Sequence, residues 1–203
     1  MLNEYNKGIA VALERFPEIE GMTSEVKISR GKNTFATYGL QSVENEDGKL
    51  EPFHALTISN MGSKEGGKKR MEDALAKATK TGHFKTSTTI RHTGAHEMAH
   101  AIELRLLLDD LNQKDFTIKE WNQNVIGRSR SGVVAKEIIN SAYENVGVNP
   151  IGREAAAIRR DIGKYAATNY SEFFAEAFAD GVISENPLEF SKAVVEEARK
   201  RFK

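Results

Sequence analysis

His96-Glu97-Met98-Ala99-His100 lies inside Thr88-Thr-Ile-Arg-His-Thr-Gly-Ala-His-Glu-Met-Ala-His-Ala-Ile-Glu-Leu-Arg-Leu-Leu-Leu-Asp-Asp110, and the reading of this stretch decides the fold. Thr88 and Thr89 can cap it, and apolar residues continue through Ile102, Leu104, Leu106 and Leu107, so it predicts one long helix to about Asp110. Residues four apart on a helix differ by about 40° in direction and about 6 Å in height, so His96 and His100 can reach one metal ion together. Glu97 is rotated by about 100° from His96. It reads as a carboxylate beside the open coordination position, placed to take a proton from water, and not as a ligand. Gly94, Ala95, Ala99 and Ala101 thin the helix around the histidines, as close packing of another element requires. The His-Glu-x-x-His pattern is expected by chance only roughly 0.013 times in a chain of this His and Glu content.

The 203 residues fit one domain, read as residues 1–203 with a helix-plus-sheet region over 1–85 and a helical, metal-binding region over 86–203. Hydrophobic residues make up 39% and charged residues 29%, enough core formers to exclude a disordered chain. Lys plus Arg and Asp plus Glu are 29 each, and this balance argues against nucleic-acid and membrane-surface partners, which need a basic excess. There is no cysteine, which excludes disulfides, thiol catalysis and cysteine-ligated zinc. A metal site must then be built from histidines and carboxylates, and Zn2+ is the ion that this spacing serves. The longest aliphatic run near the N-terminus, Ile9–Leu13, is too short for a signal peptide or a transmembrane segment, so a cytoplasmic protein is expected.

Away from the motif, Asn3 to Phe16 reads as a helix stopped by Pro17. Val26–Ser29, Thr34–Val43 and Leu50–Ser59 read as three strands joined by short turns, which predicts a small, mostly antiparallel sheet. Gly62 to Arg70 is Gly-rich and basic and reads as a solvated loop, with helical periodicity following from Met71 to Thr79. Beyond the central helix, Thr117-Ile-Lys-Glu120 fits a capping box, and Val133–Val146 and Ser171–Ala179 read as helices. Asn186-Pro187 reads as the cap and first residue of the last helix. A small sheet followed by segregated helices defines an α+β fold.

Catalytic zinc needs a third protein ligand, and no histidine follows His100 at metzincin spacing. His92 lies one turn before His96, and three ligands at consecutive four-residue steps would span about 12 Å, too far for one ion. His54 and His83 read as ordinary polar residues. A carboxylate is the better candidate. The helix after Ser171 is apolar nearly all round, through Phe173, Phe174, Ala175, Ala177, Phe178 and Ala179, and so belongs in the core. It nevertheless carries Glu172, Glu176 and Asp180 in one column, and buried carboxylates are costly unless paired or metal-bound. Glu172 is assigned as the third ligand. Glu176, one turn on, can support a ligand histidine through its free ring nitrogen.

His96-Glu-Met-Ala-His100 together with Thr168-Asn-Tyr-Ser-Glu-Phe-Phe-Ala-Glu-Ala-Phe178 resembles the catalytic domain of the anthrax toxin lethal factor and its relatives, over about forty residues. The resemblance implies a zincin-like fold in which Glu172 is the third ligand and Tyr165, seven residues upstream, lies near the scissile carbonyl. Gly82-His83-Phe84 followed by Thr86–Ile90 is similar to the approach to this motif in small zinc-peptidase domains encoded by bacteriophages. That implies phage structural proteins as partners and a virion-associated location as the alternative to the cytoplasm. The stretch from Leu111 to Lys164 is longer than the corresponding link in the lethal factor, which implies a differently walled cleft.

These readings converge on an expected zinc-dependent endopeptidase acting on a protein or peptide substrate, with Glu97 and Tyr165 as its catalytic residues. The edge of the sheet, near Phe53–Ser59, is expected to hold an extended substrate by strand addition. The alternative is a zinc-containing structural or binding module of a phage particle. Such a module needs His96, His100 and Glu172 but neither Glu97 nor Tyr165.

Overall fold

The computed structural model describes residues 2–29, 35–59, 66–85 and 87–202. Helix α1 (Leu2–Arg15) ends at Phe16, and a 3-10 turn (Pro17–Ile19) follows. Strands β1 (Glu25–Ser29), β2 (Ala36–Glu44) and β3 (Leu50–Ser59) form one sheet in the order β1-β3-β2. β2 and β3 make the expected antiparallel hairpin. In its turn Asn45 Oδ1 accepts the backbone N–H groups of Asp47 and Lys49, while Gly48 takes a φ of 72°, which glycine adopts without a steric penalty.

β1 runs parallel to β3, with Glu25 beside Ala55 and Ser29 beside Ser59. The sheet is mixed with its longer ladder antiparallel; two expectations are corrected, since β1 does not pair with β2 across their short link and Phe53–Ser59 belongs to the central strand. The end of β1 and the start of β2 lie two strand spacings apart, about 10 Å, and a link of six residues has a reach of about 20 Å. A short link therefore did not force the two strands together. The edge strands are β1 and β2.

Helix α2 (Gly67–Lys80) begins before Met71, so Gly67 to Arg70 form its first turn and are not loop. The remainder of the expected basic loop, up to residue 65, lies outside the described residues, as does Thr34. Helix α3 (Ile90–Leu111) starts where expected. Thr89 caps it, and its backbone N–H donates to His92 Nδ1 at 3.1 Å. The element that packs on its thin face is α1. A Cβ built on Gly94 would lie 2.2 Å from the Tyr5 carbonyl oxygen, and one on Gly8 would lie 2.0 Å from that of Arg91.

The C-terminal half is helical. Helix α4 (Ile118–Glu120), with the expected Thr117/Glu120 capping box, runs through a π-helical stretch (Trp121–Ile126) into α5 (Gly127–Ser131). Then come α6 (Val133–Asn145), α7 (Arg153–Ile162), a 3-10 turn (Tyr165–Ala167), α8 (Tyr170–Ile183) and α9 (Glu189–Lys200). Asn169 caps α8 by accepting the Glu172 N–H at 2.9 Å, so this helix starts one residue earlier than expected. The last helix starts later. Leu188 and not Asn186 is its cap, because the Leu188 N–H is held by the buried Asp180 carboxylate at 3.0 Å and the chain stays non-helical to that point.

Helices α3 and α8 sit at the centre of an α+β fold. Phe173, Phe174 and Phe178 of α8 are fully buried with Ile102 and Leu107 of α3 and Ile138 and Ile139 of α6. Each such side chain contributes about 1.5–3 kcal/mol on burial. A second cluster of Phe116, Trp121 and Val125 packs on Leu40 and Leu50, and Leu50 and Phe116 exchange both backbone hydrogen bonds at 2.7 and 2.8 Å. This ties residues 111–132 to the end of the β2–β3 hairpin. Among the described residues, no helix is long and apolar enough to cross a membrane.

Candidate metal centre

Three ligand atoms converge where α3 crosses α8. His96 Nε2 lies 3.2 Å from His100 Nε2 and 3.2 Å from Glu172 Oε2, and His100 Nε2 lies 3.7 Å from Glu172 Oε2. A tetrahedral ion with ligands at about 2.0–2.1 Å sets its ligand atoms roughly 3.3–3.4 Å apart, inside the 3.2–3.7 Å range found here. Glu172 Oε2 is buried and receives no aligned hydrogen bond, an acceptor left for an ion to satisfy. These residues, and no other group of three or more among the described residues, can hold a metal ion. The sequence assignment of His96, His100 and Glu172 thus falls on one site.

Carboxylates support both imidazoles from behind. Glu176 Oε1 is 2.9 Å from His96 Nδ1, in ion-pair contact but outside hydrogen-bond alignment. Glu103 Oε2 lies 3.9 Å from His100 Nδ1, and Glu103 Oε1 accepts the Ser171 hydroxyl at 2.9 Å. Glu103 was missed in the sequence, although a carboxylate three residues after His100 in an apolar run was a usable signal. Burial disfavours charge on His96, yet Glu172 and Glu176 outweigh it and hold the imidazole well above its ordinary pKa. Burial is likewise overcome at His100 by Glu103 and Glu172, which push it up to about 9. Glu172 is lowered: burial would raise it, but His100 and His96 prevail.

Glu97 points to the same cavity and is buried. Burial raises its pKa, partly offset by His96 and His100, and the backbone of β2 at Tyr38 hydrogen-bonds its carboxylate. Glu97 Oε2 is left without a partner. Tyr165 reaches the site from the 3-10 turn before α8 and lines both cavities beside the ligand set. Its pKa is raised by burial and by Glu172.

Two cavities meet at these residues, and both are lined by His96, Glu97 and Tyr165. One, of about 210 Å³, is walled by Leu40, Glu103, Ser129 and Ser171; the other, of about 260 Å³, by Phe35, His83, Phe84 and Glu176. Edge strand β2 contributes Ala36 and Thr37 to both, so the sheet edge beside the centre is β2, not Phe53–Ser59. Ser129 on the wall comes from the long stretch between Leu111 and Lys164. A larger cleft of about 1080 Å³ lies beyond His92, with basic and acidic residues such as Lys68, Lys80, Arg91 and Glu72 intermixed on its walls.

The other histidines lie outside the ligand set. His92 caps α3, and His54 is buried in β3 with its pKa lowered to about 4 by burial. His83 packs against the Tyr165 ring at 5.0 Å. Compared with protein-family models, curated proteins and solved structures, the chain gives no match.

Proposed function

We propose that the protein is a zinc-dependent endopeptidase. The observation that carries this reading is the free Oε2 of Glu97, on a buried carboxylate that is not a ligand and that faces the same cavity as the ligand set. An acceptor aimed into the cavity is placed to take a hydrogen bond, and then a proton, from water beside the ligand set, a role that a purely structural site does not need.

His96, His100 and Glu172 would hold the ion, with Glu176 and Glu103 orienting the two imidazoles. When bound, the ion supplies a Lewis acid that polarises the substrate carbonyl and acidifies water. Glu97 takes the proton of the attacking water, helped by burial, which raises its pKa and so its basicity, and returns it to the departing amine. The Tyr165 hydroxyl, kept protonated by its raised pKa, donates to the carbonyl oxygen as negative charge develops. A peptide lying along β2 would cross both cavities with its carbonyl at their junction. A phage structural protein is the partner that the sequence resemblance suggests.

Metal analysis of the purified protein, combined with unbiased cleavage profiling against a peptide library, tests the reading. The expected result is about one zinc per chain and cleavage that Glu97→Gln abolishes while keeping the metal. Zinc without any cleavage that Glu97→Gln loses would favour the structural module, and iron in place of zinc would redirect the chemistry altogether, since two histidines and one carboxylate also suit Fe(II).

A further inference from the structure

Lys85 lies outside the metal centre, yet its surroundings tie it to Tyr165. Its Nζ donates to Asp180 Oδ1 at 2.6 Å, and both groups are largely buried. Asp180 sits on α8, two turns beyond Glu172, and also accepts the Ser184 hydroxyl at 2.6 Å and the Leu188 N–H at 3.0 Å. Nothing in metal binding or proton transfer uses this pair. What it does is fix the C-terminal end of a short segment, Gly82–Lys85, whose N-terminal end is fixed by the close of α2 through His83 N–H to Ala78 O at 2.9 Å.

Between these two anchors the segment grips the backbone of the tyrosine. Lys164 N–H donates to Gly82 O at 2.9 Å, and Tyr165 N–H donates to His83 O at 3.0 Å. The rings of His83 and Phe84 pack on the Tyr165 ring at 5.0 and 5.7 Å, and His96 stacks at 6.0 Å. The approach is so close that a Cβ on Gly163 would lie 2.8 Å from His83 O, and Gly163 has a φ of 135° that side chains rarely adopt. Tyr165 is thus held through its backbone by residues 82–83 and through its ring by His83 and Phe84. Its own chain supplies only a single 3-10 turn.

We infer that Lys85 is a positioning residue: by locking Gly82–Lys85 onto Asp180 of α8, it holds the clamp that sets the Tyr165 hydroxyl against the metal centre. This rests on the reading of Tyr165 as the donor to the developing oxyanion. The ion pair spans from one end of α8 to the segment that grips the residues preceding its other end, so the tyrosine and the ligand Glu172 are registered on one rigid element.

The test uses Lys85→Met, and Lys85→Met/Asp180→Asn in case the single change leaves a buried charge that the fold does not tolerate. Three readouts are taken: kcat and KM on a peptide cleaved by the wild type, zinc affinity, and hydrogen exchange of the Lys164 and Tyr165 amides. The expected result is faster exchange at both amides, unchanged zinc affinity and KM, and a kcat loss approaching the roughly 10²-fold expected from Tyr165→Phe. In a Tyr165→Phe background the same change should cost less than about twofold more, because both act through one group. Lys85→Arg should restore the wild-type values. Unchanged amide protection, or losses that multiply in the Tyr165→Phe background, would overturn the inference. If Tyr165→Phe itself is fully active, the oxyanion reading fails, while the exchange data still decide whether Lys85 holds the clamp.

Discussion

Helices α3 and α8 carry three histidines and three carboxylates at matching four-residue steps, His92, His96 and His100 against Glu172, Glu176 and Asp180, and the two ends of this ladder have opposite characters. At one end His96, His100 and Glu172 meet with 3.2–3.7 Å between ligand atoms, and Glu172 Oε2 and Glu97 Oε2 are left unsatisfied. At the other end Asp180 is saturated by Lys85, Ser184 and Leu188, and His92 is used up in capping α3 and contacting Ser184 Oγ at 3.1 Å. The same residue types on the same two helices therefore give a metal centre where polar groups lack partners and a structural lock where they have them. Residue type alone did not distinguish the two ends. The partners that Lys85, Ser184 and Leu188 supply to Asp180 did.

The largest effect should come from removing the ligand carboxylate at the open end. Glu172→Ala leaves two histidines, and zinc affinity in a competitive chelator titration should fall by well over the ~100-fold upper range for a supporting residue. Asp180→Ala should leave zinc affinity intact and cost about 3–5 kcal/mol of stability by denaturant unfolding, because Lys85 loses its buried partner. Similar metal losses at both positions would erase the distinction between the two ends. Next comes Glu97→Gln, for which turnover should drop ~10²–10⁴-fold with zinc retained. Glu176→Ala and Glu103→Ala should each weaken zinc by ~10–100-fold, as each imidazole loses the carboxylate behind it.

A smaller effect, of opposite sign at the two ends, should appear in the metal-free protein. His92 is held neutral, its pKa lowered to about 4 by burial, with Asp180 opposing and Lys85 reinforcing the shift. Its contribution to stability is present above the unfolded value near 6.5 and lost as pH falls from there toward 4. His100, raised to about 9, contributes below 6.5, and that contribution is lost as pH rises from 6.5 through 9. Urea midpoints measured across pH on chelated protein should show His92→Gln flattening the acid side and His100→Gln flattening the alkaline side. Gln at position 92 can still serve the capping box, so the helix start is preserved. The smallest effect is expected at the surface: changing Lys68, Lys69 and Lys80 to Ser should alter stability by no more than ~0.5 kcal/mol and leave zinc affinity unchanged.

Much of this molecule could be read along the chain because the signals are local. The four-residue spacing of His96 and His100, the rotation of Glu97 away from them, and the column on α8 follow from helix geometry; periodicity and caps placed α3, α6 and the start of α8 to within a residue or two, while α8 runs four residues past the expected Ala179. Packing then made the decisions that local geometry leaves open. Strand order was one, since a six-residue link reaches an adjacent strand or the one beyond it, and the choice of β3 as the central strand made β2 the edge beside the centre. The start of α9 was another, set by a buried Asp180 that takes the Leu188 N–H. The antiparallel meeting of α3 with α8 paired histidines with carboxylates some seventy to ninety positions away, and brought Ser171 to Glu103 and Lys85 to Asp180. Which of those carboxylates would be satisfied and which left open for a metal depended on partners distant in sequence. Spacing encodes the direction of a side chain, and only the packed structure supplies what it meets there.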